Sequence, residues 1–136
     1  MAISLKQSLK KRAELIKKIR EFFYDRGVTE VTTPVLLSSP ITDVHIDSIS
    51  TCVNKGLGKA STLHLHTSPE IEMKRLLARG SGDIFQICSV YRDNEYGERN
   101  FNEFSMLEYY RLDFDMHRLM DEAAELVHVL GNSNQW

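Results

Sequence analysis

The stretch FQICSVYRDNEYGERNFNEFSMLEYYR, residues 85–111, decides the fold of this chain. β-Branched and aromatic residues are frequent at both ends, so each end is predicted to form a strand. The charged loop between them starts at Arg92 and is too long for a tight turn, which is typical of functional loops. In the second strand alternate residues share a face, namely Phe104, Met106, Glu108 and Tyr110. With Arg92 close by at the end of the first strand, this face could hold an anion, a flat ring and a cation together. A plain hairpin with one solvated face is the alternative.

The composition is that of an ordinary globular protein of one domain. The chain has 136 residues, of which 42% are hydrophobic and 26% charged. Its net charge of −2 gives no overall basic field for nucleic acid. Cys52 and Cys88 form no metal or redox pattern, and neither a signal peptide nor a membrane span is visible. We therefore expect a cytoplasmic protein.

The N-terminal segment is predicted to be an amphipathic helix followed by an extended segment. Apolar residues recur at helical spacing over residues 4–26, Ser4 and Gln7 form a capping-box pattern, and Gly27 is a natural stop. The other face is basic, which indicates either a solvated face or a patch for an acidic partner or RNA. Residues 28–38 favour strand, with Pro34 placing it at an edge or an end.

The middle of the chain predicts two strands and a helix. One strand lies within residues 44–53 and another at residues 63–67, where His64 and His66 share a face. Two histidines so spaced can hold a metal ion, but no further ligand cluster follows, and a half-exposed strand is the alternative. Ser68 is expected to be the N-cap of a helix, with Pro69 in its first position.

The C-terminal segment predicts one more helix. Asp115 can cap it and Gly131 can end it. The apolar residues between them follow helical spacing and are expected in the core: Met116, Leu119, Met120, Ala123, Leu126, Val127 and Leu130.

Residues 91–111 resemble motif 2 of class II aminoacyl-tRNA synthetases of the lysyl subgroup. The run Glu103-Phe104-Ser105-Met106-Leu107-Glu108-Tyr109-Tyr110 carries the resemblance, and it is similar above all to the paralogues that attach a lysine-type amino acid to elongation factor P. Residues 5–38 resemble motif 1, the dimer element, and residues 67–76 resemble the segment that meets the amino acid. The resemblance implies an α/β (α+β) fold in which a partial antiparallel sheet is flanked by helices. Residues 1–136 would be the N-terminal part of a catalytic domain, without an anticodon-binding domain.

The resemblance also implies site residues. Arg92 would be the catalytic phosphate ligand, because its planar fork suits phosphate oxygens. The ATP-binding set would be Arg92, Asp93, Asn94, Glu95, Asn100 and Phe104, with Phe104 as the adenine platform. The substrate-binding set would be Ser68, Pro69, Glu70, Glu108 and Tyr110, with the two carboxylates meeting ammonium groups and Tyr110 forming a hydrogen-bonding wall. Mg²⁺ would accompany ATP, with no metal ligand in this chain.

Three departures from the family pattern qualify this assignment. Asn94 stands where many members have Glu, and Glu95 follows it. Asn100-Phe101-Asn102 replaces the usual His-Asn-Pro. No sequence like motif 3, which carries a second ATP-binding arginine, is found, so a truncated product that does not catalyse adenylation by itself is expected.

The predicted function is activation of lysine or β-lysine with ATP and transfer to elongation factor P by a homodimer. A lysyl-tRNA synthetase fragment acting on tRNA is the second enzyme hypothesis. A non-catalytic module that binds a ligand or dimerises is the third.

Overall fold

Between residues 3 and 131 the chain forms three helices and six strands, in an order that agrees with the sequence patterns except that the extended segment at residues 28–38 holds two short strands. The computed structural model describes residues 3–131. The elements are α1 (Leu5–Tyr24), β1 (Thr29–Glu30), β2 (Leu36–Leu37), β3 (Ser50–Gly56), β4 (Lys59–Leu65), α2 (Glu70–Ala78), β5 (Ile84–Tyr91), β6 (Glu103–Tyr110) and α3 (Met116–Gly131). One sheet has the order β1–β5–β6 and the other β2–β4–β3. The predicted mixture of helices and strands is therefore confirmed.

The described residues divide into two compact units. Unit 1 contains residues 3–30, Gly82–Ile84 and residues 110–131. Unit 2 contains Val31–Ser81 and Phe85–Tyr109. The strand–loop–strand region with Arg92 and the helix α2 both belong to unit 2, so the predicted site residues, Tyr110 excepted, lie within it.

In unit 1, α1 begins and ends as its sequence predicts. The Ser4 hydroxyl accepts from the Gln7 amide at 3.3 Å, and the Gln7 side chain accepts from the Ser4 amide at 2.9 Å, which completes the capping box. Gly27 follows with φ of 71°, in the left-handed region that glycine adopts without strain, so the helix ends close to the predicted boundary. Ile19, Phe22 and Phe23 are its buried residues.

The helix α3 begins where Asp115 predicts, but its apolar stripe is not core as expected. The Asp115 carboxylate accepts from the Arg118 amide at 2.8 Å. Leu126 is buried, whereas Met116, Leu119, Met120 and Val127 are exposed. The other buried residue of α3 is Glu122, one turn before Leu126, so the buried side of the helix includes a charge that hydrophobic spacing does not reveal.

The extended segment and the middle strands, which belong to unit 2 except for residues 28–30, differ from their predicted bounds. Residues 28–38 contain two strands of two residues each, β1 and β2, with Pro34 between them, because proline cannot donate to a ladder. β2 and β3 both pair antiparallel with β4, in registers that include Leu36 with Leu65 and Thr51 with Leu63. β3 starts only at Ser50, and Asp47 forms an isolated bridge with Asp93. The core of this unit includes Met73, Phe85 and Val90.

A hydrogen-bonded cluster in unit 1 predicts a pH-dependent contribution to stability. The Arg20 guanidinium donates from Nε and Nη2 to the two Glu30 oxygens at 2.9 and 3.0 Å, and the Tyr24 hydroxyl donates at 2.6 Å. The hydrogen bonds from Arg20 hold the pKa of Glu30 below its ordinary value of 4.5, and Tyr24 adds to this. A carboxylate with a lowered folded-state pKa stabilises the fold above its unfolded pKa, and this is lost as pH falls through the folded pKa.

We therefore expect Glu30→Gln to lower the free energy of unfolding by about 1 kcal/mol at pH 7, and by less at pH 3. Urea unfolding at the two pH values measures the difference. Glu21→Gln is the matched control. Glu21 Oε1 lies 3.5 Å from Lys17 Nζ in an exposed ion pair, which is expected to contribute only about 0.3 kcal/mol. A Glu30→Gln cost that is the same at pH 3 and pH 7 would contradict the assignment.

Candidate functional site

The loop between β5 and β6 is closed at its base by Arg92 and Asn102. The Arg92 amide donates to the Asn102 carbonyl at 2.9 Å, and the Asn102 side-chain amide donates to the Arg92 carbonyl at 2.7 Å. Asn102 was not among the predicted site residues. The sequence does carry a signal for this residue, because its side chain can both donate and accept hydrogen bonds and it directly precedes the strand that starts at Glu103.

The Arg92 side chain links this loop to the segment before α2. Its Nε lies 3.4 Å from the Thr67 carbonyl oxygen, and its guanidinium lies 5.1 Å from the centroid of the Phe104 ring. Within residues 3–131, the terminal Nη atoms of Arg92 have no hydrogen-bonding or ion-pair partner. The half-buried guanidinium is thus oriented by a carbonyl and a ring face, while its two-pronged end is available for an anion.

The Ser68–Glu70 segment begins α2 one residue later than predicted. Pro69 is the N-cap residue and makes no side-chain cap, so Ser68 is not the N-cap. Instead, the Ser68 hydroxyl accepts from the Glu70 amide at 3.3 Å, which fixes the turn into the helix. The Glu70 carboxylate forms an ion pair with Lys74 one turn later, and it is about half exposed. Arg92, through Thr67, and Glu70 therefore flank the same short segment.

A small cavity of about 90 Å³ lies beside this segment. Thr67 and Ser68 line it, together with Ser39, Ile71 and other residues of unit 2. Buried His66 also lines it, and the His66 Nε2 atom donates to the Ser89 carbonyl at 2.8 Å. The carbonyl can only accept, so Nε2 carries the proton. Polar and apolar side chains both line the cavity, and Ser68, a predicted substrate-binding serine, is one of them.

The remaining predicted ATP-binding residues lie in the loop itself. Asn94 has φ of 57°, and its side-chain amide donates to Asp47 Oδ2 at 2.9 Å. Asp93 Oδ1 accepts from the Asn94 amide at 2.9 Å. Asn100 donates through its side chain to Glu95 Oε2 at 3.0 Å. These residues brace the loop in the structure, and their contacts with ATP stay predictions.

Glu108 and Tyr110 lie on β6, at positions that share one face of the strand. Glu108 is half-buried, and it lies close enough to Cys88 on β5 to affect that thiol. Burial raises the pKa of the Cys88 thiol, and the negative charge of Glu108 raises it further. Tyr110 belongs to unit 1 and is half-buried, and its role as a hydrogen-bonding wall stays a prediction.

The two histidines considered for a metal ion have other partners. His64 Nδ1 lies 3.2 Å from the Ser50 hydroxyl, and His66 is fixed by the Ser89 carbonyl. Among residues 3–131, no three His, Cys, Asp or Glu side chains come together as a metal site would require. No helix in this part of the chain is long and apolar enough to cross a bilayer.

Comparison with known proteins identifies the family. The model of the tRNA synthetases class II (D, K and N) matches residues 2–133. The chain belongs to the class II tRNA synthetase family. The family resemblance that was predicted from residues 91–111 is thereby confirmed, while the role of Arg92 stays a prediction.

Two similar proteins within the class II family carry the same name. The chain is 52% identical to an elongation factor P--(R)-beta-lysine ligase of Haemophilus ducreyi over 122 residues, which is 89% of the chain and 37% of that protein. It is 49% identical to the protein of that name from Vibrio cholerae over 123 residues, 90% of the chain and 38% of that protein. The chain therefore spans less than two fifths of the length of these relatives.

Proposed function

We propose that the protein activates a lysine-type amino acid with ATP and transfers it to a lysine side chain of elongation factor P. The observation that carries this proposal is the contact between Arg92 and the Thr67 carbonyl, because it brings the arginine that we propose as the phosphate ligand next to the Ser68–Glu70 segment. The names of the relatives support the choice of substrate and acceptor. The family resemblance adds a homodimer and a cytoplasmic location to the proposal.

The proposed chemistry has two steps. An oxygen of the amino acid carboxylate attacks the α-phosphorus of ATP, and pyrophosphate leaves. The lysine amine of the acceptor protein then attacks the carbonyl carbon of the adenylate, and AMP leaves with the bonding electron pair. Neither step needs a nucleophile from this chain, so its residues act by positioning and by electrostatic stabilisation.

The residues present fit an ATP phosphate and an adenine ring. The free Nη atoms of Arg92 offer a forked pair of donors, and Phe104 lies beside that guanidinium as a platform for the base. In the proposal, Asp93, Asn94, Glu95 and Asn100 line the loop above the nucleotide. Mg²⁺ would neutralise phosphate charge, and we assign no ligand for it among residues 3–131.

The residues proposed for the amino acid supply negative charge and hydroxyl oxygens. Glu70 and Glu108 would receive the ammonium groups, and Ser68 and Pro69 would shape the wall next to the cavity. Glu70 is paired with Lys74 in the structure, so binding of a cationic substrate requires this exposed pair to separate. Such a pair contributes about 0.5 kcal/mol, which a substrate ammonium can readily replace.

Pyrophosphate exchange and acceptor transfer test the function. A chain extended through motif 3 should exchange pyrophosphate into ATP only when lysine or β-lysine is present. It should then load elongation factor P and leave lysine tRNA uncharged. Loading of the tRNA instead would make the protein a lysyl-tRNA synthetase, and binding of ligand without exchange would make it a non-catalytic module.

We expect Glu70→Gln and Glu108→Gln to weaken binding of the amino acid selectively. A buried ammonium without its carboxylate is left as a costly unpaired charge, so the Kd for the lysine-type substrate should rise about tenfold or more. The Kd for ATP should change less than about twofold. Isothermal titration with each ligand measures both constants.

Glu14→Gln is the matched control for this pair of variants. Glu14 is an exposed glutamate on α1 in unit 1, it does not line the cavity, and it is not a predicted ammonium ligand. It should leave the Kd for the amino acid unchanged. An equal loss of ATP and amino acid binding in Glu70→Gln or Glu108→Gln would indicate misfolding and would refute selective recognition.

A further inference from the structure

Asp47 reaches the motif 2 loop from the connection between β2 and β3. Its carboxylate Oδ2 accepts from the side-chain amide of Asn94 at 2.9 Å, and its carbonyl accepts from the Asp93 amide at 2.9 Å. The second bond is part of the isolated bridge between Asp47 and Asp93. The residues are 46 or more positions apart in the chain, so these bonds tie two distant segments of unit 2 together.

The backbone at Asn94 explains why asparagine stands at this position. Its φ of 57° lies in the left-handed region, which asparagine adopts more readily than most residues. Glutamate is less suited to this conformation, and it has no amide donor to offer to Asp47. The departure of Asn94 from the Arg-x-Glu pattern therefore coincides with a carboxylate at position 47 that needs a donor.

Among residues 3–131, the hydrogen bonds of the loop beyond Asn94 join residues of the loop itself. The Asn100 side chain donates to Glu95, and the Asn100 amide donates to the Gly97 carbonyl at 3.3 Å. The bonds at Asp47 thus fix Asp93 and Asn94 to the connection between β2 and β3, in addition to the contact of the neighbouring Arg92 side chain with Thr67.

We propose that Asp47 is a positioning residue for the motif 2 loop, acting through Asn94 to hold the loop that binds ATP. The proposal rests on the proposed function for its effect on ATP. Asp47 itself does not touch the nucleotide, and Asn94 has a positioning role in addition to any contact with the base. A charge-assisted hydrogen bond at an exposed site contributes about 1 kcal/mol. Its loss should therefore speed opening of the loop and weaken ATP binding, each about fivefold.

Hydrogen exchange of the loop amides tests the positioning role without ATP. In the 136-residue chain, Asp47→Ala should speed exchange at residues 93–96 about fivefold. Glu98→Gln is the matched control, since it removes one negative charge from the exposed part of the same loop and should leave those amides unchanged. Unchanged exchange in Asp47→Ala would overturn the proposal, whatever the protein's activity.

Steady-state kinetics, including a double variant that exchanges the residues at positions 47 and 94, complete the test. In a chain extended through motif 3, Asp47→Ala should raise the KM for ATP about fivefold with little change in kcat, Asn94→Gly should raise it at least as much, and the double variant should be no worse than Asn94→Gly alone. Glycine adopts the left-handed backbone without strain, so Asn94→Gly removes the side chain while this backbone conformation stays accessible. Asp47→Asn should also raise KM, and adding Asn94→Asp should lower it again by restoring an amide–carboxylate pair. Additive single effects, or no rescue by the swap, would show that Asp47 does not act through Asn94.

Discussion

Arg92→Ala, in a chain extended through motif 3, is expected to slow adenylate formation by about a hundredfold or more. Loss of one preorganised electrostatic stabiliser has an effect of this size. In the structure the Arg92 guanidinium is already oriented by the Thr67 carbonyl and the Phe104 ring, so its stabilising charge needs no rearrangement when the phosphate arrives. Amino-acid-dependent pyrophosphate exchange measures the change in rate.

Two further variants separate charge from geometry at this position. Arg92→Lys keeps the positive charge but loses the forked donors, and it should recover only part of the rate. Arg99→Ala removes an exposed arginine from the same loop and should exchange at nearly the normal rate. Near-normal exchange by Arg92→Ala would refute the assignment of motif 2, provided that circular dichroism shows an unchanged fold.

Local patterns predicted the elements that carry the site. Alternation and β-branched residues located β5 and β6, and short-range capping signals at Ser4 and Asp115 located the starts of α1 and α3. These signals depend on residues a few positions apart, which is why a single sequence reveals them. The motif 2 run then placed Arg92 at the start of the loop.

Contacts between distant residues could not be predicted in this way. Asp47 lies in a segment without periodicity, and nothing local indicates that it pairs with Asn94. Asn102 closes the loop although the usual His-Asn-Pro is absent. The start of α2 shifted because Ser68 bonds the Glu70 amide in a turn, an alternative that the same residue types allow.

Buried charge is the other feature that hydrophobic spacing hides. Apolar periodicity treats a glutamate as a solvent-facing residue, and it therefore predicted a core of methionine and leucine for α3. In unit 1 the buried side of α3 carries Glu122 as well as Leu126. Arg111 explains this, because its guanidinium lies among carboxylates from two different segments of unit 1.

Removal of Glu122 is accordingly expected to destabilise the protein more than removal of any exposed charge. Glu122 Oε2 lies 3.4 Å from Arg111 Nε, with the two side chains only 6% and 9% exposed, and Glu122 Oε1 lies 3.8 Å from Arg26 Nε. Breaking a buried ion pair costs about 3–5 kcal/mol, since the remaining charge loses its compensation. Arg111 keeps Asp83 at 3.1 Å, so we expect about 3 kcal/mol for Glu122→Ala.

Glu125→Ala is the matched control on the same helix, because Glu125 pairs with Arg26 at 2.8 Å but is 57% exposed. Urea unfolding should give less than about 1 kcal/mol for it, and added salt should reduce that value while it leaves the effect of Glu122→Ala nearly unchanged. Glu122→Gln keeps the packing and one acceptor oxygen. Its loss of unfolding free energy should therefore fall between the losses for Glu122→Ala and Glu125→Ala. Equal costs for Glu122→Ala and Glu125→Ala would show that Arg111 is adequately compensated by Asp83 alone.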